Sequence, residues 1–278
     1  MSDELVPHPD DEMPAPGAAL RPRRKGIYIL PNAITLGALF SGFYGIVMAM
    51  NGRFEVACVS IFVAAVLDSL DGRVARMTNA QSAFGEQMDS LSDMVSFGAA
   101  PALIVYIWAL KDMGKPGWIP AFVYIAGAAL RLARFNVNIG VVDKRFFQGL
   151  PSPAAAALVV GLVWVIDDAG FKNVSKMDGV VWTAFAVTLY AGLSMVTNAP
   201  FYSFKVVGGR RTVPFIVIVA IAIGIAIVAL DPAKALFALF AGYGLSGYAV
   251  YGWRRLQGQP TSVIAVSTDE PDEKGLHH

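Results

Sequence analysis

The residues best suited to chemistry in this sequence are four aspartates inside an otherwise apolar stretch. Asp68, Asp71, Asp89 and Asp93 lie in the segment DSLDGRVARMTNAQSAFGEQMDSLSD. Residues three or four apart share one face of a helix, so the first two form one acidic stripe and the last two form another. The short polar segment MTNAQSAF between them predicts a turn. We therefore expect two antiparallel helices whose acidic faces meet.

Carboxylates in a membrane helix need a physical reason. An aspartate at the bilayer centre costs about 2.5–3.5 kcal/mol, so four of them facing lipid would oppose insertion by about 10–14 kcal/mol. We expect them to face the protein interior, near one membrane surface that water can reach. Because the carboxylates repel one another and no His or Cys lies nearby, the set favours a hard cation, first Mg²⁺ or Mn²⁺ and then Ca²⁺. Carboxylates from two helices suit two metals about 3.5–4 Å apart, which can activate a phosphorus centre.

The residues between the aspartates are compatible with a phosphate ligand. Gly72, Ala75 and Gly85 lack bulk on the same faces, so a nucleotide could approach the backbone closely. Arg76 adds a permanent positive charge suited to a phosphate oxygen. The alternative for the small residues is tight helix packing, and a single intramembrane aspartate can also serve as a proton relay or an interhelical hydrogen bond.

The composition indicates that helices in a membrane position these residues. The chain has 278 residues, of which 55% are hydrophobic and only 15% charged. Continuous apolar runs recur near the roughly 20 residues that a spanning helix needs, without the alternation of a β-barrel. We predict an all-α, polytopic bundle of about eight transmembrane helices, approximately at residues 29–50, 54–77, 82–110, 117–137, 152–171, 179–197, 213–230 and 233–253.

The bundle is expected to occupy residues 26–256 as one domain, between polar, disordered cytosolic tails at 1–25 and 257–278. Of the 22 Lys and Arg residues, 16 fall on the side of the termini and 6 on the other side. The positive-inside rule therefore predicts cytoplasmic termini, with the aspartates facing the cytoplasm from the inner membrane. The net charge of +1 suggests no nucleic-acid partner. Gly242, Gly244 and Gly247 permit close helix contact, either within the chain or in a homodimer.

The aspartate spacing resembles the complete signature of the CDP-alcohol phosphotransferases, D-x2-D-G-x2-A-R-x8-G-x3-D-x3-D, with no departure at its eight positions. Members of that family are membrane enzymes that move a phosphatidyl-type group from a CDP-linked lipid to an alcohol and release CMP. The resemblance implies that Asp68, Asp71, Asp89 and Asp93 hold two divalent metals and that Asp93 is also the base for the acceptor's proton. It implies further that the CDP group is lined by Gly72, Ala75, Arg76 and Gly85.

Three later segments narrow the acceptor alcohol. RLARFN (131–136), GLPSP (149–153) and NAPFYSFK (198–205), together with LPNAITLGALFSGFYGI in the first span, resemble the phosphatidylserine synthase branch of the family. The resemblance implies CDP-diacylglycerol and L-serine as substrates. Serine carries a carboxylate and an ammonium, so its pocket needs fixed cations and at least one hydrogen-bond acceptor. The candidates for that pocket are Arg131, Arg134, Asn136, Tyr202 and Lys205.

Other interpretations of the same residues stay open from the sequence. The arginines can instead serve topology, the prolines can mark the start of a helix, and FYSFK can be an aromatic anchor at the membrane surface. Glycerol 3-phosphate or inositol phosphate could replace serine, although their phosphate would favour a stronger basic cluster. A cation or proton-coupled transporter is a further alternative, but its carboxylates would be expected near mid-bilayer on repeat-related helices.

Overall fold

The computed structural model describes residues 29–137, 146–171, 174–202 and 215–257. Within these ranges the chain folds into eight long helices, which we number in chain order: α1 Ile29–Met50, α2 Phe54–Met77, α3 Ala83–Met113, α4 Trp118–Val137, α5 Ser152–Asp168, α6 Asp178–Val196, α7 Phe215–Leu230 and α8 Pro232–Leu256. The predicted all-α bundle is confirmed. The two predicted tails lie outside the described residues, except for Gln257. Lys205, a predicted pocket residue, also lies outside them.

Five of the described helices are long and apolar enough to cross a membrane, namely α1, α3, α4, α6 and α8. The other three depart from that description for separate reasons. α2 carries the charged signature residues, while α5 and α7 are apolar but shorter, with 17 and 16 residues. The chain is thus a multi-pass membrane protein, and Asp68 and Asp71 lie on a long helix that its charged residues set apart from those five.

The core is built around α5, whose neighbours include α2, α6 and α8. Its alanine-rich sequence SPAAAALVVGLVW is buried from Ser152 to Trp164, except for the partly buried Pro153. Small side chains let the surrounding helix backbones come close, which is how helices gain packing contacts where lipid tails remove the usual hydrophobic driving force. α5 therefore provides the central element against which the helices of the acidic segment pack.

Helix α1 packs against both α2 and α3. The hydroxyl of Ser41 donates to the Ser60 carbonyl oxygen of α2 at 2.7 Å, and Ser96 of α3 donates to the Ala38 carbonyl oxygen of α1 at 3.1 Å. A Cβ added at Gly42 would lie 2.5 Å from the Ser96 hydroxyl oxygen, so no larger residue fits there without displacement. These contacts fix the separation of the two acidic helices through a third helix.

Helix α3 changes its winding along its length. It is α-helical over Ala83–Asp93, π-helical over Met94–Ala99, α-helical over Ala100–Val105 and π-helical over Tyr106–Leu110, and it closes with a 3₁₀ turn at Lys111–Met113. A π turn holds more residues than an α turn, so each one rotates the following side chains about the axis. The acidic face of α3 and its buried face near Phe97 therefore do not follow one continuous period.

A small antiparallel ladder, which the sequence did not predict, joins the segments after α4 and α6. Strand β1, Phe146–Gln148, pairs with strand β2, Pro200–Tyr202, with Phe147 opposite Phe201. Phe201 is fully buried and its ring lies 5.7 Å from that of Tyr243 in α8. The ladder thereby ties the ends of α4 and α6 to the last helix.

The last two helices form the edge of the bundle. None of the residues of α7 is buried, and α7 packs against α8. On α8, Gly244 faces Tyr190 and Leu158, and Gly247 lies against the Phe201 ring, so two of the three glycines serve packing within the chain. The homodimer stays a prediction.

Candidate active site

The acidic faces of α2 and α3 meet, as the spacing predicts. One carboxylate oxygen from each of Asp68, Asp71 and Asp89 lies within 4.8 Å of the others. Asp71 is buried at 4% exposure, while Asp68 and Asp89 are partly buried. The two contributing segments are the second half of α2 and the first half of α3, so the cluster is near the ends of these helices that the 78–82 connection joins.

Asp93 belongs to the same cluster. Its carboxyl is close enough to Asp68 for a side-chain hydrogen bond, and it interacts electrostatically with Asp89 and with Arg131 of α4. It lies at the junction between the α-helical start of α3 and the first π-helical segment. Asp93 therefore interacts both with other carboxylates of the cluster and with the positive charge of α4.

Helix α1 supplies a hydroxyl to the acidic cluster, which the sequence reasoning missed. Thr35 is 5% exposed, and its Oγ1 lies 2.7 Å from Asp71 Oδ2, to which it donates, and 3.1 Å from the Pro31 carbonyl oxygen. The Thr35 carbonyl oxygen in turn accepts a hydrogen bond from Ser92 of α3 at 3.3 Å. One residue of α1 thus connects both acidic helices. The signal in the sequence was the polar Asn32 and Thr35 in an otherwise apolar span.

The cluster fits a divalent cation that prefers oxygen ligands. Two ligand oxygens on opposite sides of a Mg²⁺ or Ca²⁺ ion are about 4–5 Å apart, given metal–oxygen distances of about 2.0–2.6 Å. The three carboxylate oxygens already lie within such a span, and they come from two helices whose positions α1 fixes. The oxygen ligands and the spacing of this acidic cluster therefore suit a divalent metal.

The small residues of the signature differ in the space beside them, which is open at Gly72 apart from Arg76 and filled at Gly85. A Cβ at Gly72 would meet only the Arg76 guanidinium, at 3.6 Å from Nη1, so that side chain lies over Gly72. A Cβ at Gly85 would lie 3.2 Å from the Ser82 hydroxyl and 3.3 Å from Asn32 Oδ1. Ala75 is partly buried on the same helix as Gly72, and Arg76 is exposed. An exposed cation therefore flanks the cluster on the side of the 78–82 connection.

The two arginines of RLARFN have different surroundings. Arg131 donates from Nη1 to the hydroxyl of Ser152 at 2.8 Å, and it interacts with Asp93. Its Nε is buried and, among the described residues, has no hydrogen-bond partner. Arg131 is therefore a cation next to the aspartates with donor capacity remaining.

Arg134 is bound by the protein itself. Its guanidinium donates to the carbonyl oxygens of Met195, Val196 and Thr197 at the end of α6, at 3.1–3.5 Å. It also donates to the Gln148 carbonyl oxygen at 3.3 Å and to Asn198 Oδ1 at 3.2 Å. Arg134 therefore stabilises the end of α6, because the last carbonyl oxygens of a helix have no hydrogen-bond donors within that helix.

The remaining predicted pocket residues are spread around the same end of the bundle. Asn136 exchanges hydrogen bonds with Ser90 of α3, at 3.1 Å and 3.3 Å. Tyr202 is exposed at the end of β2, and its carbonyl oxygen accepts from the Tyr243 hydroxyl at 3.1 Å. Among the residues predicted to bind serine, it is therefore chiefly Arg131 that interacts with the aspartates.

Comparison with known proteins agrees with this geometry. The sequence model of the CDP-alcohol phosphatidyltransferase family matches residues 28–196. A CDP-diacylglycerol–serine O-phosphatidyltransferase of Helicobacter pylori is 34% identical over 226 residues, which are 81% of this chain and 90% of the relative. An enzyme of the same name from Mycobacterium leprae is 39% identical over 151 residues, covering 51% of this chain and 50% of that protein. An archaetidylserine synthase of Methanothermobacter thermautotrophicus is 38% identical over 132 residues, covering 47% and 55%.

The matched region contains α1 to α6 and therefore every helix that contributes to the acidic cluster. The chain belongs to the CDP-alcohol phosphatidyltransferase family.

Proposed function

We propose that this protein transfers the phosphatidyl group of CDP-diacylglycerol to the hydroxyl of L-serine, giving phosphatidylserine and CMP. The observation that carries the proposal is the convergence of the carboxylates of α2 and α3 on one point, in a chain similar over most of its length to a CDP-diacylglycerol–serine O-phosphatidyltransferase. The serine hydroxyl forms the new bond to phosphorus, and the phosphorus–oxygen bond to CMP breaks.

The aspartates have two roles in this proposal. Asp68, Asp71, Asp89 and Asp93 hold Mg²⁺ or Mn²⁺ in a two-metal site. When bound, such ions offset negative charge on the diphosphate and on the departing CMP. The hydrogen bond that the Thr35 hydroxyl donates to Asp71 holds this carboxylate in a fixed orientation. The carboxylate therefore has to move less when a metal binds.

Asp93 is the proposed general base. A serine hydroxyl is a weak nucleophile at neutral pH, and a carboxylate within hydrogen-bonding distance can accept its proton as the oxygen bonds to phosphorus. Asp93 suits this role because it interacts both with Asp68 and Asp89 and with Arg131, the cation proposed to bind the acceptor. The reaction needs no covalent bond between enzyme and lipid.

The substrates are proposed to bind on two sides of the aspartates. Gly72, Ala75 and Gly85 line the CDP group, with room beside the Gly72 backbone that only the Arg76 side chain borders, and Arg76 binds a phosphate oxygen. Arg131 binds the serine carboxylate, with Asn136, Tyr202 and Lys205 near the entrance, while Arg134 acts mainly by holding the end of α6.

The protein is proposed to lie in the inner membrane, with both termini and the active site facing the cytoplasm. The uneven distribution of Lys and Arg supports this orientation. The orientation would let a water-soluble acceptor reach the site from the cytoplasm.

The acceptor is tested directly by supplying membranes that contain the protein with CDP-diacylglycerol, Mg²⁺ or Mn²⁺, and one labelled alcohol at a time. We expect labelled lipid from serine. Labelled lipid from glycerol 3-phosphate or inositol phosphate, and none from serine, would assign the protein to another acceptor. Metal-dependent CMP release by detergent-purified protein, where no gradient exists, would exclude pure transport.

A further inference from the structure

A buried serine contacts the arginine next to the aspartates. Ser152 is 1% exposed, and its hydroxyl oxygen accepts the hydrogen bond from Arg131 Nη1 at 2.8 Å. Ser152 is the first residue of α5, and the cap residue Pro151 before it supplies no side-chain hydrogen bond to the helix. The Ser152 hydroxyl is thus directed to a guanidinium of α4.

The backbone before Ser152 is fixed by the end of α6. The Gly149 N–H donates to the Ala199 carbonyl oxygen at 3.0 Å, and the Leu150 N–H donates to the Ser194 carbonyl oxygen at 2.9 Å. Gly149 has φ +77°, and a Cβ there would collide with backbone carbonyl oxygens, so the turn requires glycine. Ser152 is therefore presented to Arg131 from a rigid segment.

The hydrogen bond to Ser152 uses one edge of the guanidinium. Nη1 is occupied, whereas the buried Nε has no hydrogen-bond partner in the described part of the chain. Nε and Nη2 lie on a common edge, and such an edge can donate two parallel hydrogen bonds to the two oxygens of a carboxylate. A buried donor without a partner is costly, so a ligand that supplies an acceptor gains affinity there.

We propose that Ser152 is a positioning residue for the acceptor: its hydroxyl fixes the Arg131 guanidinium so that the Nε edge receives the carboxylate of serine. This inference rests on the proposed function, because it takes serine as the acceptor. Ser152 itself touches neither the lipid nor the reacting atoms. Its loss therefore weakens acceptor binding and leaves the chemistry at phosphorus in place.

The test compares variants at position 152 in purified full-length protein, with CMP release measured at varied serine and at varied CDP-diacylglycerol. For Ser152→Ala we expect the KM for serine to rise about tenfold, with kcat and the KM for CDP-diacylglycerol changing less than about twofold, as for loss of one hydrogen bond to a charged group. Ser152→Thr keeps the hydroxyl and should retain the low KM. Ser152→Val has the shape of threonine without the hydroxyl and should behave like alanine.

Two controls separate positioning from folding. Ser41→Ala removes another buried hydroxyl, one that donates to the Ser60 carbonyl oxygen, and should leave the KM for serine unchanged. In protein that already carries Arg131→Lys, adding Ser152→Ala should raise the KM for serine little further. The guanidinium that Ser152 positions is absent from that variant.

An unchanged serine KM in Ser152→Ala, equal changes in both KM values, or identical behaviour of the threonine and valine variants would overturn the positioning role while leaving the proposed function intact. Failure of the unaltered protein to make phosphatidylserine would overturn the proposed function itself, and the inference with it.

Discussion

At the scale of single residues, Asp93 differs from the other three aspartates in its surroundings. It interacts with Asp68 and Asp89 and also with the positive charge of Arg131. A carboxylate in that position can contact both the group that is attacked and the alcohol that attacks it. Its role in proton transfer can therefore be separated from nucleotide binding.

We expect Asp93→Asn to lower CMP release by at least about 100-fold, because the amide cannot accept the acceptor's proton. Nucleotide binding should remain measurable by equilibrium dialysis with labelled CDP-diacylglycerol in micelles. Asp112→Asn, an exposed acid at the other end of α3, provides the control and should retain full activity. Loss of binding together with activity in Asp93→Asn would mean that Asp93 chiefly holds metal or structure.

Thr35 allows a second prediction, about metal binding rather than proton transfer. Replacing it with valine keeps the shape but removes the hydroxyl that donates to Asp71 at 2.7 Å. The concentration of Mn²⁺ needed for half-maximal activity should rise about 10-fold or more, as for other groups that orient a metal ligand. Thr35→Ser keeps the hydroxyl and should need the same Mn²⁺ concentration as the unaltered protein.

The effect of Thr35 on the metal can be measured without turnover, as the shift in unfolding temperature that Mn²⁺ produces. That shift should shrink in Thr35→Val at a fixed Mn²⁺ concentration. A full shift in the valine variant would show that the hydroxyl has no part in holding the metal ligand.

At the scale of helices and strands, Arg134 holds the end of α6 to the end of α4 and to β1. Five oxygens accept from its guanidinium, and four of them belong to the segment Met195–Asn198. A lysine has one ammonium on a flexible chain and cannot reach the same set at once. Arg134 therefore acts on stability more than on substrate binding.

Arg134→Lys should lower the unfolding temperature of the purified protein by several degrees, since about 2–3 kcal/mol of charge-assisted hydrogen bonding is lost. Arg255→Lys, an exposed arginine at the end of α8, should unfold at the wild-type temperature. Measuring the KM for serine in the same samples distinguishes the two roles. An unchanged unfolding temperature together with a raised KM for serine would show that Arg134 binds the substrate and does not chiefly stabilise the fold.

Much of the architecture could be predicted because apolar runs and helical spacing are local properties of the sequence. The eight helices and the meeting of Asp68 and Asp71 with Asp89 follow from them. The partner of each side chain was beyond that reasoning. The contact of Thr35 with Asp71, for example, depends on how α1 packs against two other helices, which the periodicity of a sequence does not reveal.

Other features that the sequence did not predict also depend on contacts between distant parts of the chain. The ladder between β1 and β2 joins segments about fifty residues apart, and strands of three residues each are too short to show an alternating pattern. The π-helical segments of α3 pack against α1 and α4, and the helical spacing of the sequence does not mark where they begin. The separate uses of Arg131 and Arg134 depend on which neighbouring oxygens each can reach.

At the scale of the whole molecule, the orientation in the membrane is open to a direct test. The chain has a single cysteine, and Cys58 is fully buried, so labelling of the unaltered protein should be low. Gln81 lies in the connection between α2 and α3, and Lys115 in the connection between α3 and α4, and both are exposed. A cysteine at each position reports one side of the membrane.

In intact spheroplasts, a membrane-impermeant maleimide should label Lys115→Cys and should label Gln81→Cys only after the membrane is opened. The CMP release of each variant should be measured first, so that only folded protein is scored. The reverse labelling pattern would place the aspartates on the outer face and contradict the distribution of Lys and Arg.

The acidic cluster lies part of the way along α2 and α3 rather than at their tips. A phospholipid carries its phosphate at the membrane surface, next to the glycerol that joins its two acyl chains. A donor with two acyl tails can thus keep both of them among its neighbours in the leaflet while its head reacts. The small polar acceptor travels the remaining distance from water, and the new phospholipid departs sideways without ever having been lifted out of the bilayer.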